Sequence, residues 1–228
     1  MSVSMRLPAS FAAVLLFVSS VCQAVEPIPV TQKAYGKTYA QFAAGWLEWA
    51  HAIPVSTNPI LDNDGSYGAI GQSGKVWYLA GNFGGSTIRS LTVPSGTALF
   101  FPLANIFWVN TPETGDEPWS PSWEASVRQS LATTIDGAHS LSLEVDGVPS
   151  ATVQSLRVAS RVGTCVLPAD NIVSTLANAG PHECVGDGYW ALLAPLTVGQ
   201  HTIRFTGGIA GFSLDVTYNL TVKQRQKL

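Results

Sequence analysis

The sequence predicts a mainly β protein: an antiparallel β-sandwich of jelly-roll or immunoglobulin-like kind, with two accessory α-helices. Three observations carry this expectation. From Lys75 onward, apolar residues recur with a period of two in short runs punctuated by Gly and Pro. Helical periodicity is confined to one segment after Thr38 and another from Pro121 to Ile135. Charged residues make up only 12% of the chain against 46% hydrophobic, the profile of an exported β protein whose solubility rests on hydroxyls and amides.

Residues 1–24 read as an export signal. Arg6 supplies the positive start, "FAAVLLFV" (Phe11 to Val18) the apolar stretch, and "SSVCQA" a small-residue site for cleavage after Ala24. The apolar run is shorter than the roughly 20 residues a membrane span needs, and no later segment approaches that length. A competing reading makes Cys22 a lipidated cysteine, but Val21 is bulkier than the small residue such processing favours. The expectation is a secreted or periplasmic chain with no membrane span after signal removal. Cys165 and Cys184 are then the two cysteines left, and an oxidising compartment pairs them. Closing that loop of about 20 residues is worth roughly 3 kcal/mol. The formal charge of −3 comes with no basic cluster except "KQRQKL" at the C-terminus, which excludes nucleic acid as a partner.

Residues 25–37 form an extended Pro-containing leader, 38–222 a single domain and 223–228 a flexible tail. In the first helix, Thr38 and Gln41 fit a capping box. Tyr39, Phe42, Ala43, Trp46, Trp49 and Ala50 share one face, and Pro54 ends it. "VWYLAG", "STIRSLTV" and "TALFFPLANIFWV" are the first strands. Ser120 caps the second helix with Pro121 at its first position; Trp123, Val127, Leu131 and Ile135 recur every fourth residue before Gly137. "HSLSLEVDG" is a strand running into an Asp146-Gly147 turn, with "VQSLRVAS" as its expected partner. "YWALLAPL", "HTIRFTG" and "SLDVTYNLTV" follow. The last sets Leu214, Val216, Tyr218, Leu220 and Val222 against Ser213, Asp215, Thr217, Asn219 and Thr221, a strand with one wet face.

No specific catalytic motif appears, so catalytic residues stay unassigned, and no cofactor fingerprint is present. His182 and Glu183 are adjacent and, on an extended backbone, point to opposite faces; together with scattered His51, His139 and His201 they argue against a metal site. "PHECVGDGYW" therefore reads as a stapled loop, with Asp187-Gly188 turning the chain into a core strand at Tyr189-Trp190. "LDNDGSYG" lacks the ligand pattern of a calcium loop, and Asp62 and Asp64 read as turn residues, although a Ca²⁺ site completed from elsewhere stays open. Arg89, between Ile88 and Ser90 on a strand, is a candidate buried cation needing a carboxylate or carbonyls. The most suggestive segment is "NTPETGDEPWSPSWE". Glu113, Asp116, Glu117 and Glu124 accompany Trp119 and Trp123 in a loop at the mouth of a helix, where indoles stack on sugar rings and carboxylates accept from hydroxyls. The competing reading leaves Trp123 in the core and the acids at the helix N-terminus.

The segments "GWLEWAHAIP", "NPIL", "GQSGKVWYLAG", "RSLTVPSGTALFFPLAN" and "DGYWALLAPLTVGQHTIRFTGG" together resemble a family of uncharacterised exported bacterial proteins, from Tyr39 to about Val222. The resemblance implies secretion and a shared fold, and it carries over no catalytic residue. Relatives often have extra cysteines near "SYGAIG" and in the strand before "VPSG"; Tyr67, Gly68 and Leu91 stand there in this chain.

The leading functional expectation is non-catalytic binding of a glycan or other cell-surface ligand by Glu113, Asp116, Glu117, Trp119 and Glu124. The alternatives are a secreted glycoside hydrolase using two of those carboxylates, and a structural or assembly protein of the cell envelope whose strand edges pair with a partner.

Overall fold

The computed structural model describes residues 24–225. The expected export signal, up to its last residue, and the end of the expected tail lie outside the described residues. Helix α1 (Tyr39–His51) starts where the Thr38 side chain accepts from the Gln41 N–H and the Gln41 side chain accepts from the Thr38 N–H. Ten strands follow in two five-stranded sheets. The first sheet has the order β1 (Val76–Tyr78), β3 (Ala98–Val109), β8 (Gly180–Leu193) and β6 (Arg157–Ala159), with β7 (Gly163–Leu167) also pairing with β8. The second has the order β2 (Gly85–Pro94), β10 (Phe212–Lys223), β9 (Gly199–Ile209), β4 (His139–Val145) and β5 (Val148–Pro149). Helix α2 (Pro121–Ile135) lies between β3 and β4 in the chain, with the Trp123 N–H donating to the Ser120 hydroxyl at its start.

The two sheets face each other across a shared core in which Leu99, Phe101 and Leu103 of β3 meet Leu91, Phe205, Val216 and Tyr218 of the second sheet. Phe101 and Phe205 bring their ring centres to 4.8 Å. The opposite face of the first sheet carries α1. Trp46 meets Trp190 edge-on at 5.6 Å, and Trp190 stacks on Phe100 at 5.6 Å. Burying such rings on both faces of β3 and β8 makes the first sheet the middle layer, each ring contributing about 2–3 kcal/mol of apolar burial. Helix α2 sets Val127 and Leu131 against Val185, flanked by Trp108 and Trp123. Cys165 and Cys184 are bonded across β7 and β8, Cα atoms 5.9 Å apart, buried beneath α1.

Three features differ from the sequence reading. First, both sheets are mixed, because β1 runs parallel to β3 and β2 parallel to β10. Alternation reports which face is wet and is silent on strand direction, which the connections decide. From β1 the chain crosses to β2 in the other sheet before returning as β3. Second, "PHECVGDGYW" is the interior of the 14-residue strand β8, with no turn at Asp187-Gly188. The glycines are there for close packing. A Cβ on Gly188 would lie 2.7 Å from the Ala104 carbonyl oxygen, and one on Gly186 3.1 Å from the Ile106 oxygen and from Leu47 of α1. Third, the partner of β4 after the Asp146-Gly147 turn is the two-residue β5, whereas Arg157–Ala159 from "VQSLRVAS" joins the other sheet beside β8. Arg157 fixes that choice by donating to Asp187 of β8 at 3.0 Å and to Asp136 at the end of α2.

Candidate ligand-binding site

The loop between β3 and α2 holds the acidic residues singled out above, and most of them serve the frame. Asp116 Oδ2 accepts from the Thr111 N–H at 2.7 Å and from Trp108 Nε1 at 3.2 Å. Glu113 accepts from the Asn178 N–H at 2.7 Å, a contact that holds its carboxyl below the usual carboxylate range. Its other neighbour is His182 Nε2 at 3.9 Å. His182 is itself held between the Asn110 and Asn178 carbonyl oxygens, 2.8 and 2.9 Å from its ring nitrogens. Glu124 pairs with Arg128 one helical turn on, at 2.7 Å. Trp119 packs against the cluster of Val127, Leu131 and Val185, and Trp123 Nε1 donates to Asn110 Oδ1 at 2.7 Å. Glu117 is different. It borders a shallow hollow of about 230 Å³ with Trp123, Ser120, Ser122 and Ser126.

At the other candidate positions the polar groups are also committed. Asp62 Oδ1 accepts from the Asp64 and Gly65 N–H groups at 3.0 Å, and Oδ2 from the Tyr67 N–H at 2.8 Å. Among the described residues, no three His, Cys, Asp or Glu side chains come together in a way that could hold a metal ion. Arg89 is 1% exposed. It donates to the carbonyls of Ile60, Asp62, Ala80 and Gly81 and to the Tyr218 hydroxyl, at 2.7 to 3.2 Å. A buried guanidinium offers five donors in a fixed fork, so these carbonyls are pinned relative to β10.

That pinning shapes a groove. Leu79 still donates to the Phe100 carbonyl oxygen, but Ala80 and Gly81 are drawn to Arg89 and Tyr218 on the second sheet, and β1 ends. The space left beside β3 is a cleft of about 310 Å³. Trp46 and Ile60 wall one side; Ile209, Phe212 and Leu214 of the β9–β10 hairpin wall the other. Phe83, 53% exposed, stands at the rim. Asn105, Ile106 and Phe107 of β3 form part of the lining, and the other polar side chain is Asn82. Among the described residues, no charged side chain lines the cleft. Behind Phe107 lies His51, 0% exposed, its ring 4.6 Å from the Phe107 ring centre. His51 Nδ1 is 2.8 Å from the Leu47 carbonyl oxygen, and among the described residues Nε2 has no partner. Burial pushes its pKa down to about 4.

Sequence reading did not single out this groove, because it draws on five separated stretches of chain. Two local signals were present: an exposed aromatic among glycines in "GNFGGS", and Asn105 interrupting the apolar run "ALFFPLANIFWV". Among the described residues, no helix is long and apolar enough to cross a membrane.

No protein-family model matches the chain, and no curated protein matches it. A solved structure described as "Solution Structure of Amebosin" is similar at 12% identity over 60% of this chain and 96% of that one, with a TM-score of 0.15, which carries no argument about fold or function. The chemistry of the groove and of the acidic loop is therefore the basis for a functional reading.

Proposed function

We propose that this chain is an exported, non-catalytic binding protein whose ligand is uncharged and largely apolar, held in the groove beside β3. The observation that carries it is a cleft of about 310 Å³, apolar on both walls, with amides as its polar side chains and no titratable side chain at its surface. Sites of that size and lining bind by excluding water from apolar surface, with a few polar groups setting orientation. The N-terminal signal pattern, the disulfide and the resemblance to exported bacterial proteins support secretion or a periplasmic location. Catalysis has little to work with. A glycoside hydrolase needs two cooperating carboxylates, and Glu113, Asp116 and Glu124 are each engaged by separate structural partners.

Titration with the neutral fluorophore N-phenyl-1-naphthylamine tests the reading. Saturable enhancement is expected, weakened at least tenfold in Gly81→Leu. The new side chain would enter the cleft without a clash, since a Cβ there has its nearest contact at 3.6 Å. Absence of saturable binding, or equal binding by Gly81→Leu, defeats it. A second reading, glycan binding at the loop, is favoured by the Glu117–Trp123 hollow with its three serines. Retention on a glycan array, reduced by Trp119→Ala and by Glu117→Ala, is its expected signature; no retention on any glycan removes it.

A further inference from the structure

The groove has a property that an apolar lining alone does not explain: its floor is an unpaired strand edge. β8 lies on one side of β3, and the 110/183 pair fixes the alternation, because the Asn110 N–H donates to the Glu183 carbonyl oxygen at 2.8 Å. In an antiparallel ladder every second pair exchanges both hydrogen bonds, and the residues between aim theirs the other way. In this register Trp108/Val185, Ile106/Asp187 and Ala104/Tyr189 are the bonded pairs. Asn105 and Phe107 therefore aim N–H and C=O away from β8. Gly186, opposite Phe107, turns its own groups to Ser160, as that alternation requires. β1 covers the other edge of β3 only from Ala98 to Phe100. Among the described residues, nothing hydrogen-bonds to the N–H or C=O of Asn105 or Phe107.

We propose that the occupant of the groove is an extended, uncharged apolar peptide segment of a partner protein, which adds as a strand to the free edge of β3 in the lane β1 vacates. This rests on the groove being the ligand site. Two observations on its floor and walls select the occupant. Open donors and acceptors alternating at strand spacing are matched by another polypeptide backbone, which carries both at the same repeat. A strand so placed turns successive side chains to opposite faces, and both faces are apolar: Trp46 and Ile60 on one, Phe212 and Leu214 on the other. Apolar residues at successive positions are therefore accepted, and the absence of charge along the cleft disfavours a charged segment. The edge that lines the groove runs from Asn105 to Phe107, about 7 Å end to end, so it pairs with some three residues of the occupant.

The probe is a capped peptide with five consecutive valines and isoleucines, flanked by lysines for solubility. The readout is amide hydrogen exchange of the full chain with and without it. In the free protein, the Asn105 and Phe107 amides exchange fast although they sit within a strand, while those of Ile106 and Trp108 are protected. Saturating peptide slows Asn105 and Phe107 at least tenfold. Peptides N-methylated on every second amide lose binding in one of the two registers, and Asn105→Pro, which removes an edge donor without touching the β8 ladder, weakens binding at least tenfold. The N-methylated peptides keep the test decisive should Asn105→Pro fail to fold. Peptide binding with unchanged Asn105 and Phe107 exchange overturns strand addition. Fluorophore binding without peptide binding overturns it too and leaves the groove reading standing, whereas binding of neither removes both. Concentration-dependent protection of these amides in the free protein would make a second copy of this chain the occupant instead.

Discussion

In the loop that ends at α2, a single carboxylate, Asp116, takes an indole N–H and a main-chain N–H, and Glu113 reaches another segment at Asn178. Along the outer edge of β3 the situation is reversed: among the described residues the main-chain groups of Asn105 and Phe107 lack partners while apolar walls rise around them. The acidic loop looks functional by composition, and three of its four acids are taken up by partners within the chain. The apolar edge looks like core in the sequence and is where the molecule leaves bonds unmade. Residue type alone separates the two poorly; whether a polar group already has its partner separates them well.

The comparison can be broken or sharpened by experiment. The largest effect is expected at Arg89, the buried cation that, with the Tyr218 hydroxyl, holds the end of β1 away from β3. Arg89→Met leaves the buried carbonyls of Ile60, Asp62 and Gly81 without their donor, while Ala80 keeps the Tyr218 hydroxyl, and should cost about 4 kcal/mol in urea denaturation, with loss of fluorophore binding. A cost under about 1 kcal/mol would mean that the groove is not held by this cation.

Acid comes next. His51 behind Phe107 binds its proton near pH 4 in the folded chain and near 6.5 when unfolded. Stability from this residue is complete above about pH 6.5 and declines as the pH falls, until about 3 kcal/mol is lost near pH 4. His51→Leu should flatten the stability profile in that window. An unchanged slope would mean that His51 is hydrated in solution.

Smaller still is Asp116→Ala, expected to cost about 2 kcal/mol by leaving the Thr111 and Trp108 N–H groups unpaired. If stability is unchanged while glycan retention disappears, the scaffold view of the loop fails. Glu117→Ala marks the bottom of the scale. Bordering only the open hollow, it should shift stability by less than about 0.5 kcal/mol, and any effect should be confined to ligand retention.

Much of the frame was legible. The capping box at Thr38, the Ser120 start of α2 and the alternation of β10 follow from local pattern, the Cys165–Cys184 bridge from the count of cysteines after the expected signal, and each is present. Arg89 was legible as a candidate buried cation from its place inside a strand, between Ile88 and Ser90, and it is buried. What failed was decided by residues far apart. The glycines of β8 read as turn makers because the residues that crowd them, Ala104, Ile106 and Leu47, lie far away in the chain. Strand direction was hidden for the same reason. The groove was invisible because it exists only where β1 stops early, and that stop is enforced by carbonyls reaching an arginine on another sheet.

The parallel pairing of β2 with β10 has a consequence for biogenesis. β10 occupies an interior lane, between β2 and β9, so the second sheet cannot be completed until residues 212–223 have been synthesised. Until then β2 has no neighbour and half of the shared core has no lid. Such distant pairing is slow to form, and until β10 arrives the apolar face of β2 stays open to wrong partners.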